Sequence, residues 1–240
     1  MVKEKRWKKA QRFERKFWQE FFFGPTIENI KKGLYKNIAV FIEEKMDRRL
    51  DENSRILQIG TGPVGIINYI SKGLRCSLDP IETSFKDLPF INEVRNPNVY
   101  RLEGKGEMLP FKDRLFDLII ATNMLDHTQE PELVLFEMQR VLRSEGYAYL
   151  GVNVYTALVC KIRKLIELFQ LDKGHPHSFS KSSIDNLLKK TGFEIIEVTS
   201  YINKKVYRRI NIQSKSIKKK LIGYLGLSES HYVVLIKRRR

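Results

Sequence analysis

The sequence predicts an α/β fold, with a doubly wound, mostly parallel sheet of seven strands and a helical cap contributed by the N-terminal residues. Three observations lead to this expectation. From Arg55 onward, short apolar segments alternate with segments of helical periodicity. The apolar segments are nearly continuous, as expected for strands that are buried on both faces of a parallel sheet. The first 50 residues show helical periodicity only, and a chain of 240 residues suits one large domain.

The first 50 residues predict two helices that cap the same globular unit. The first is expected over residues 3–23, where Gly24 and Pro25 end it. The second is expected over about 27–50. We therefore divide the chain into a cap, 1–50, and a core domain, 51–240, with a basic excursion at 203–229. Apolar residues recur at three- and four-residue steps in both helices: Trp7, Ala10, Phe13, Phe17 and Phe21 in the first, and Leu34, Ile38, Phe41, Ile42 and Met46 in the second.

Seven strands are expected in the core domain, with helix candidates between most of them. The clearest helix covers 131–143, with Pro131 acceptable in its first turn. An amphipathic helix over 156–171 follows the fifth strand, so it could cover an acceptor pocket at that strand's carboxyl end. The seven strands are predicted at 55–59, 75–79, 98–102, 116–121, 147–152, 193–198 and 231–236.

Charge and cysteine content narrow the possible partners. The net charge is +16, and basic residues cluster at both ends. Such a field attracts an anionic membrane surface or RNA, although solvated surface lysines alone would also explain it. Cys76 and Cys160 are the only cysteines, which argues against a disulfide scaffold and fits a reducing compartment. A charged N-terminus without a long apolar run predicts a cytoplasmic protein, with peripheral membrane binding as an alternative.

A glycine-rich turn follows the first predicted strand. Residues 60–65 read GTGPVG, which is G-x-G-x-x-G between the strand RILQI and the apolar segment IINYI. Gly60 and Gly62 allow a sharp turn and close approach of a ligand. Pro63 stands where a helix could begin. Asp79 ends the second strand, where a carboxylate can accept hydrogen bonds from a ribose. The pattern indicates a nucleoside ligand, but either a dinucleotide or S-adenosylmethionine (AdoMet) would satisfy it.

The segment 104–143 resembles the class I AdoMet-dependent methyltransferases that act on small molecules and lipids. The resemblance lies in Glu107 with LPF at 109–111, the pair FD at 116–117, NMLDH at 123–127 and RVLR at 140–143, and later in 175–197. It covers roughly residues 50–200. It implies an antiparallel last strand, beside the previous one, and AdoMet as cofactor. The function it implies is methyl transfer to a small-molecule or lipid-like acceptor.

The resemblance also implies which residues bind the cofactor. The glycine turn would approach the methionine part, and Asp79 would bind the ribose. Gly106 and Glu107 would lie beside the adenine. Asn123 would lie near the sulfonium. The complete set is Gly60, Thr61, Gly62, Asp79, Gly106, Glu107, Met108 (flanking the adenine) and Asn123.

Three positions depart from the pattern of that family. Gln58 replaces an acidic residue in the first strand, Gly65 comes one residue later than the usual third glycine, and Lys105 stands where an acid often meets the adenine amine. Gln58 offers hydrogen bonds but no charge for the amino group of the ligand. These departures keep open a non-catalytic module that retains the AdoMet fold.

His127 is the expected catalytic residue. It follows the fourth strand, near the expected methyl site, and a base is needed only where the acceptor carries a proton. A packing role is the alternative for a loop histidine. His175 and His177 form an H-x-H pair, but without a third ligand in the sequence pattern no metal is predicted. Trp7, Phe13 and Phe17 of the first helix could close one side of the pocket.

Other functions remain open at this point. The basic ends could serve an RNA methyltransferase, and an NAD-linked oxidoreductase would use the same glycine turn. The sequence does not name the acceptor or the oligomeric state.

Overall fold

The computed structural model describes residues 2–21, 33–46, 49–89, 91–168, 174–202, 209, 211–213, 220, 223–224 and 228–239. Much of the predicted basic excursion at 203–229, the beginning of the predicted second helix, and the last residues of the predicted 156–171 helix therefore lie outside the described residues.

Seven strands form one sheet in the order β3-β2-β1-β4-β5-β7-β6. Six of them run parallel. β7 is antiparallel to both of its neighbours, β5 and β6, which confirms the expected antiparallel last strand. The strands are β1 (Arg55–Ile59), β2 (Leu74–Asp79), β3 (Val99–Glu103), β4 (Phe116–Thr122), β5 (Leu142–Val154), β6 (Phe193–Ile202) and β7 (Ser230–Arg238).

Strand order reverses between β1 and β4, which lie side by side at the centre of the sheet. The chain runs outward from β1 through β2 to β3, and it then returns to β4 and continues to the other edge. The carboxyl ends of β1 and β4 therefore border a crevice, which is the usual ligand position in a doubly wound sheet. The predicted cofactor residues lie at or after the ends of β1, β2, β3 and β4, and the four loops that follow these strands all begin at this edge.

Helices lie on both faces of the sheet, and each face carries its own apolar core. One core includes Leu57, Met138 and Leu150, and the other includes Ile42, Ile56 and Tyr149. The helices are α1 (Glu4–Phe21), α2 (Leu34–Lys45), α3 (Ile91–Val94, a single turn), α4 (Pro131–Val141), α5 (Ala157–Leu168) and α6 (Lys181–Lys190). No described helix is long and apolar enough to cross a membrane.

The segment after the glycine turn differs from the expectation. Pro63 lies in a turn, and residues Ile66–Tyr69 form one 3₁₀ turn instead of an α-helix. The chain becomes extended at Ile70 and enters β2 at Leu74, which leaves too few residues for a helix. Ile66 and Ile67 are buried, so this short segment covers the sheet in place of a helix.

Helix α1 lies across the carboxyl edge of the sheet. Arg6, which is 7% exposed, pairs with Glu167 of α5, and its Nη2 atom donates to Oε2 at 2.9 Å. At the start of the helix, the backbone N–H of Val2 donates to the carbonyl of Gln129. The Gln11 amide donates to the carbonyl of His127 at 3.3 Å. The N-terminal helix is thus fixed over the loops that follow β4 and β5.

Candidate functional site

The glycine turn after β1 has a strained backbone that only glycine adopts readily. Gly60 and Gly62 have φ of 66° and 59°. A Cβ on Gly60 would lie 2.5 Å from Cβ of Met124, and one on Gly62 would lie 3.1 Å from the Trp18 ring. The turn is therefore in direct contact with the loop after β4 below it and with α1 above it.

Gln58 and Gly65 form a pair within this turn. The Gln58 side chain is buried, and its Oε1 accepts the backbone N–H of Ile67 at 2.8 Å. Gly65 has φ of 74°, and a Cβ there would lie 3.1 Å from the same oxygen. Gln58 thus closes the loop from inside and does not line the cavity described below. This contact explains two of the departures from the family pattern, Gln58 in place of an acid and the later position of Gly65. A glycine at position 65 leaves room for the Gln58 amide.

Asp79 organises the two loops on either side of it. Its Oδ2 accepts the N–H of Gly62 at 2.9 Å, and its Oδ1 accepts the N–H of Ile81 at 3.0 Å. Burial, together with the negative charges of Glu82 and Glu14, raises the pKa of this carboxyl to about 6. The hydrogen bonds from the two N–H groups act in the opposite direction and lower it. Each carboxylate oxygen keeps a further lone pair for a ligand hydroxyl.

The loop after β3 contributes a flat backbone surface. Gly106 is buried, and a Cβ there would lie 3.2–3.3 Å from Val134, Ile59 and Met124. The Glu107 carboxylate accepts the N–H of Gln129 at 2.7 Å, so its side chain holds the loop before α4.

Lys105 faces α1. Its Nζ lies 4.0 Å from the centroid of the Trp7 ring and 3.0 Å from the Gln129 amide oxygen. The cation–π contact fixes the cap to the core, and the hydrogen bond joins the loop after β3 to the loop after β4. The third departure from the family pattern therefore has a structural role in this protein.

A cavity of about 100 Å³ lies between the sheet edge and α1. The cavity brings together most of the residues predicted from the sequence, although Thr61 and Met108 are outside it. Its helix side is formed by Trp7, Gln11, Glu14 and Trp18, at helical spacing; Phe13 and Phe17, which the sequence also suggested, do not line it. Its sheet side includes Gly60, Gly62, Asp79, Gly106, Glu107, Asn123, Met124 and His127.

Met108 and Thr61 do not have the predicted positions. Met108 is 77% exposed, whereas Met124, which was not predicted, lines the cavity. Thr61 is buried beneath the turn, and its hydroxyl has no hydrogen-bond partner among the described residues. The sequence signal for Met124 was its position one residue after Asn123, at the end of β4.

Asn123 and His127 form the far end of the cavity. Asn123 has φ of 50°, and its N–H donates to the carbonyl of Gly151, so the chain turns sharply as it leaves β4. This turn leads into the 3₁₀ turn Leu125–His127, which places the half-buried His127 ring at the cavity. Its Nδ1 lies 3.4 Å from the Glu14 carboxylate of α1. Sequence reasoning missed Glu14, because no local pattern links a cap helix to the loop after β4.

The two histidines of the H-x-H pair separate in the structure. His175 lies beside His127, with ring centroids 4.6 Å apart. His177 instead places Nε2 3.0 Å from the carbonyl of Thr128, and burial lowers its pKa.

Comparison with known proteins identifies the domain. Residues 57–150, which contain the glycine turn, Asp79 and the loop after β4, match the family model described as "Methyltransferase domain". The matched part of this chain, residues 57–150, is therefore similar to a methyltransferase domain.

Three relatives show how far the likeness extends. The putative methyltransferase YrhH of Bacillus subtilis is 28% identical over 58% of this chain and 75% of its own length. The sterol 4-C-methyltransferase strm-1 of Caenorhabditis elegans is 24% identical over 73% of this chain and 53% of its own. The geranyl diphosphate C-methyltransferase of Streptomyces coelicolor, solved with Mg²⁺, geranyl diphosphate and S-adenosyl-L-homocysteine, has a TM-score of 0.64 at 10% identity, over 85% of this chain and 79% of its own.

The cavity of the methyltransferase domain fits the chemistry of AdoMet. Asp79 presents a carboxylate suited to ribose hydroxyls, and the Gly106 position has no room for a side chain. Trp7 and Trp18 line the cavity, and aromatic rings attract cations such as a sulfonium. The space is small against the roughly 300–1,000 Å³ of ordinary ligand pockets, so we expect α1 to move when the cofactor binds.

Proposed function

We propose that this protein transfers a methyl group from AdoMet to a small-molecule or lipid-like acceptor. The observation that carries the proposal is the cavity itself. The glycine turn, Asp79, the loop after β3 and the loop after β4 meet there at the strand-order reversal. A fold that kept these elements only for packing would not need a buried carboxylate facing an open space.

In this proposal, different residues around the cavity bind different parts of the cofactor. Gly60 and Gly62 admit the methionine part, and Asp79 accepts the ribose hydroxyls. The backbone of Gly106 and Glu107 lies where the adenine is expected, and Asn123 lies toward the sulfonium. Bound AdoMet supplies an electrophilic methyl group, so the protein has mainly to orient the acceptor and to exclude water.

His127 is the proposed catalytic residue on the acceptor side. Its Nδ1 faces Glu14 at 3.4 Å, which favours the tautomer with the proton on Nδ1 and leaves a lone pair on Nε2. That lone pair can accept a proton from an acceptor of suitable pKa.

A small or lipid-like acceptor suits the enclosure of the site. Helix α1 covers the cavity, and aromatic rings from α1 form part of its wall. The sterol and geranyl diphosphate methyltransferases described above act on lipid-like molecules, which is consistent with this acceptor class.

Intrinsic fluorescence tests the proposal directly. Both tryptophans of the chain, Trp7 and Trp18, line the cavity, so binding of S-adenosylhomocysteine (AdoHcy) should change their emission with a saturable, micromolar dependence. Radiolabelled AdoMet with panels of amines, sterols and isoprenoids should then reveal the acceptor. If neither fluorescence nor calorimetry detects AdoHcy binding, the proposal fails. A response to NADH alone would favour an oxidoreductase instead.

Cofactor binding should depend on pH through Asp79. The pKa of this carboxyl is raised to about 6 by burial, and only the ionised form can accept two ribose hydroxyls. AdoHcy affinity should be constant above that pKa and fall as the pH drops below it, by at most about tenfold per pH unit. Titrations between about pH 5 and pH 8 would measure this effect. Asp79→Asn should bind weakly with little pH dependence, and a flat wild-type profile would contradict the assignment.

A further inference from the structure

A group of metal-ligand side chains lies beside the cavity and includes His127, which lines it. Asp126, His127 and His175 each offer one ligand atom, and these atoms all lie within 4.8 Å of one another. The sequence argued against a metal because His175 lacked further ligands. The fold supplies them from the loop after β4, which is remote in sequence.

Asp126 is the most unusual member of this group. It is 6% exposed, and its Oδ1 has no hydrogen-bond partner among the described residues. Burying a carboxylate oxygen without a hydrogen bond is costly unless the charge is balanced. The nearest opposing group is the His127 ring, whose Nε2 lies 3.9 Å from this oxygen. That distance is long for a hydrogen bond but leaves room for a bridging cation.

His127 also has the support expected of a metal ligand. Metal-bound histidines usually direct the second ring nitrogen toward a carboxylate or a carbonyl, which fixes the tautomer. In this structure Nδ1 faces Glu14 at 3.4 Å, while Nε2 faces Asp126. The Nδ1 atom is buried and makes no hydrogen bond among the described residues, so the Glu14 carboxylate is close to it without accepting a hydrogen bond. Glu14 therefore occupies the outer position of a carboxylate–histidine–metal arrangement.

We propose that Asp126, His127 and His175 bind a divalent transition-metal ion such as Zn²⁺ or Fe²⁺. Two imidazoles and one carboxylate suit these ions, whereas Mg²⁺ and Ca²⁺ prefer oxygen ligands throughout. With bonds of about 2.0–2.1 Å, tetrahedral ligand atoms lie about 3.3 Å apart, so the three side chains need only a modest contraction. The remaining coordination positions are available to an external ligand.

The ion would bind the acceptor. This role rests on the proposed methyltransferase function, whereas the metal site itself does not. An acceptor oxygen that binds the ion releases its proton to water at a lower pH than the free hydroxyl group does. With the ion bound, His127 acts as a ligand through Nε2, and the general-base role proposed above applies only to the metal-free protein. The inference thus narrows the acceptor to molecules with an oxygen able to bind a cation.

Cobalt titration tests the site without any assay of methyl transfer. The full chain, purified without a polyhistidine tag and dialysed against chelator, should bind one equivalent of Co²⁺ with visible d–d absorption, and Zn²⁺ should displace it. Asp126→Asn and His175→Gln each remove one ligand and should weaken Co²⁺ binding by more than the roughly 10- to 100-fold cost of losing an outer-shell partner. Glu14→Ala removes only such an outer partner and should weaken Co²⁺ binding by roughly 10- to 100-fold.

His177→Gln is the matched control. His177 is two residues from His175, but its Nε2 faces the carbonyls of Thr128 and Gln129, which a glutamine amide can also reach. The His177→Gln variant should bind Co²⁺ as tightly as the wild type does. Failure of the folded wild type to bind one equivalent, or undiminished binding by both Asp126→Asn and His175→Gln, would overturn the proposal.

Two further measurements keep the test decisive. The chain has four histidines, and one equivalent of Zn²⁺ should shift the imidazole NMR signals of His127 and His175 directly. Shifts in none of the four, or in all of them alike, would contradict the site even if a variant failed to fold. AdoHcy titration by tryptophan fluorescence on the same samples separates failure of the metal site from failure of the proposed function.

Discussion

Replacing Asp79 by alanine is expected to weaken AdoHcy binding by at least about 100-fold. The carboxylate offers two charge-assisted hydrogen bonds to the ribose, each worth about 1.5–3 kcal/mol, and 3 kcal/mol corresponds to roughly 150-fold in affinity. The change also removes the acceptors of the Gly62 and Ile81 N–H groups, so both loops lose part of their order. Calorimetry or tryptophan fluorescence would measure the affinity.

Asp117→Ala provides a matched control. Asp117 also accepts a backbone N–H, that of Arg55 at 2.8 Å, and it pairs with Arg143. It lies near the start of β4, at the amino-terminal end of the parallel strands, whereas the cavity lies at their carboxyl ends. Its replacement should lower stability but leave AdoHcy affinity almost unchanged. Equal losses in the two variants, or no loss for Asp79→Ala, would show that Asp79 does not bind the cofactor.

Gly60→Ala is expected to cost at least about 2 kcal/mol of folding free energy and to abolish AdoHcy binding. The alanine would keep φ near 66° and place its Cβ 2.5 Å from Cβ of Met124. Neither the left-handed backbone of the alanine nor its close contact with Met124 can relax without moving the loop after β4, which carries Asn123 and His127. For a chain of this size, the melting temperature should fall by roughly 4–8 °C.

Gly33→Ala separates the two sources of strain. Gly33 also has a positive φ, 93°, but a Cβ there would have only Asn37 Oδ1 nearby, at 4.0 Å. Gly33→Ala should therefore lower the folding free energy only by the cost of the left-handed backbone, about 1 kcal/mol. It should bind AdoHcy normally. If Gly60→Ala behaves like Gly33→Ala, the contact between the glycine turn and Met124 is not critical.

The sheet could be predicted from the sequence because its signals are local. Five of the seven strands were expected within two residues of their observed bounds, since each is a short apolar run with clear ends. β5 begins five residues earlier than expected and β6 ends four residues later, because polar residues extend both strands beyond their apolar runs. The glycine turn and Asp79 were equally visible, because a parallel strand places its terminal residues at the ligand edge. The predicted helix after Pro63 was wrong, since extended backbone at Ile70 and the start of β2 at Leu74 leave room only for a 3₁₀ turn.

The residues that sequence reasoning missed all depend on tertiary contacts. Glu14 and Trp18 enter the site because α1 crosses the carboxyl edge of the sheet, and no pattern within the helix specifies that crossing. His175 was paired with His177 on spacing, but their partners in the fold differ, since the His175 ring lies beside His127 and His177 Nε2 lies 3.0 Å from the carbonyl of Thr128. The roles of Gln58 and Lys105 likewise became clear only from their partners in space.

The central claim is that the cavity beneath α1 binds AdoMet in the orientation set by Asp79 and the loop after β3. A crystal structure of the AdoHcy complex tests it most directly. We expect the ribose hydroxyls within hydrogen-bond distance of the Asp79 carboxylate, the adenine against Gly106 and Glu107, and the sulfur toward Asn123, with Trp18 displaced from Gly62. AdoHcy bound elsewhere, or a cavity that stays closed in crystals grown with saturating AdoHcy, would contradict this account.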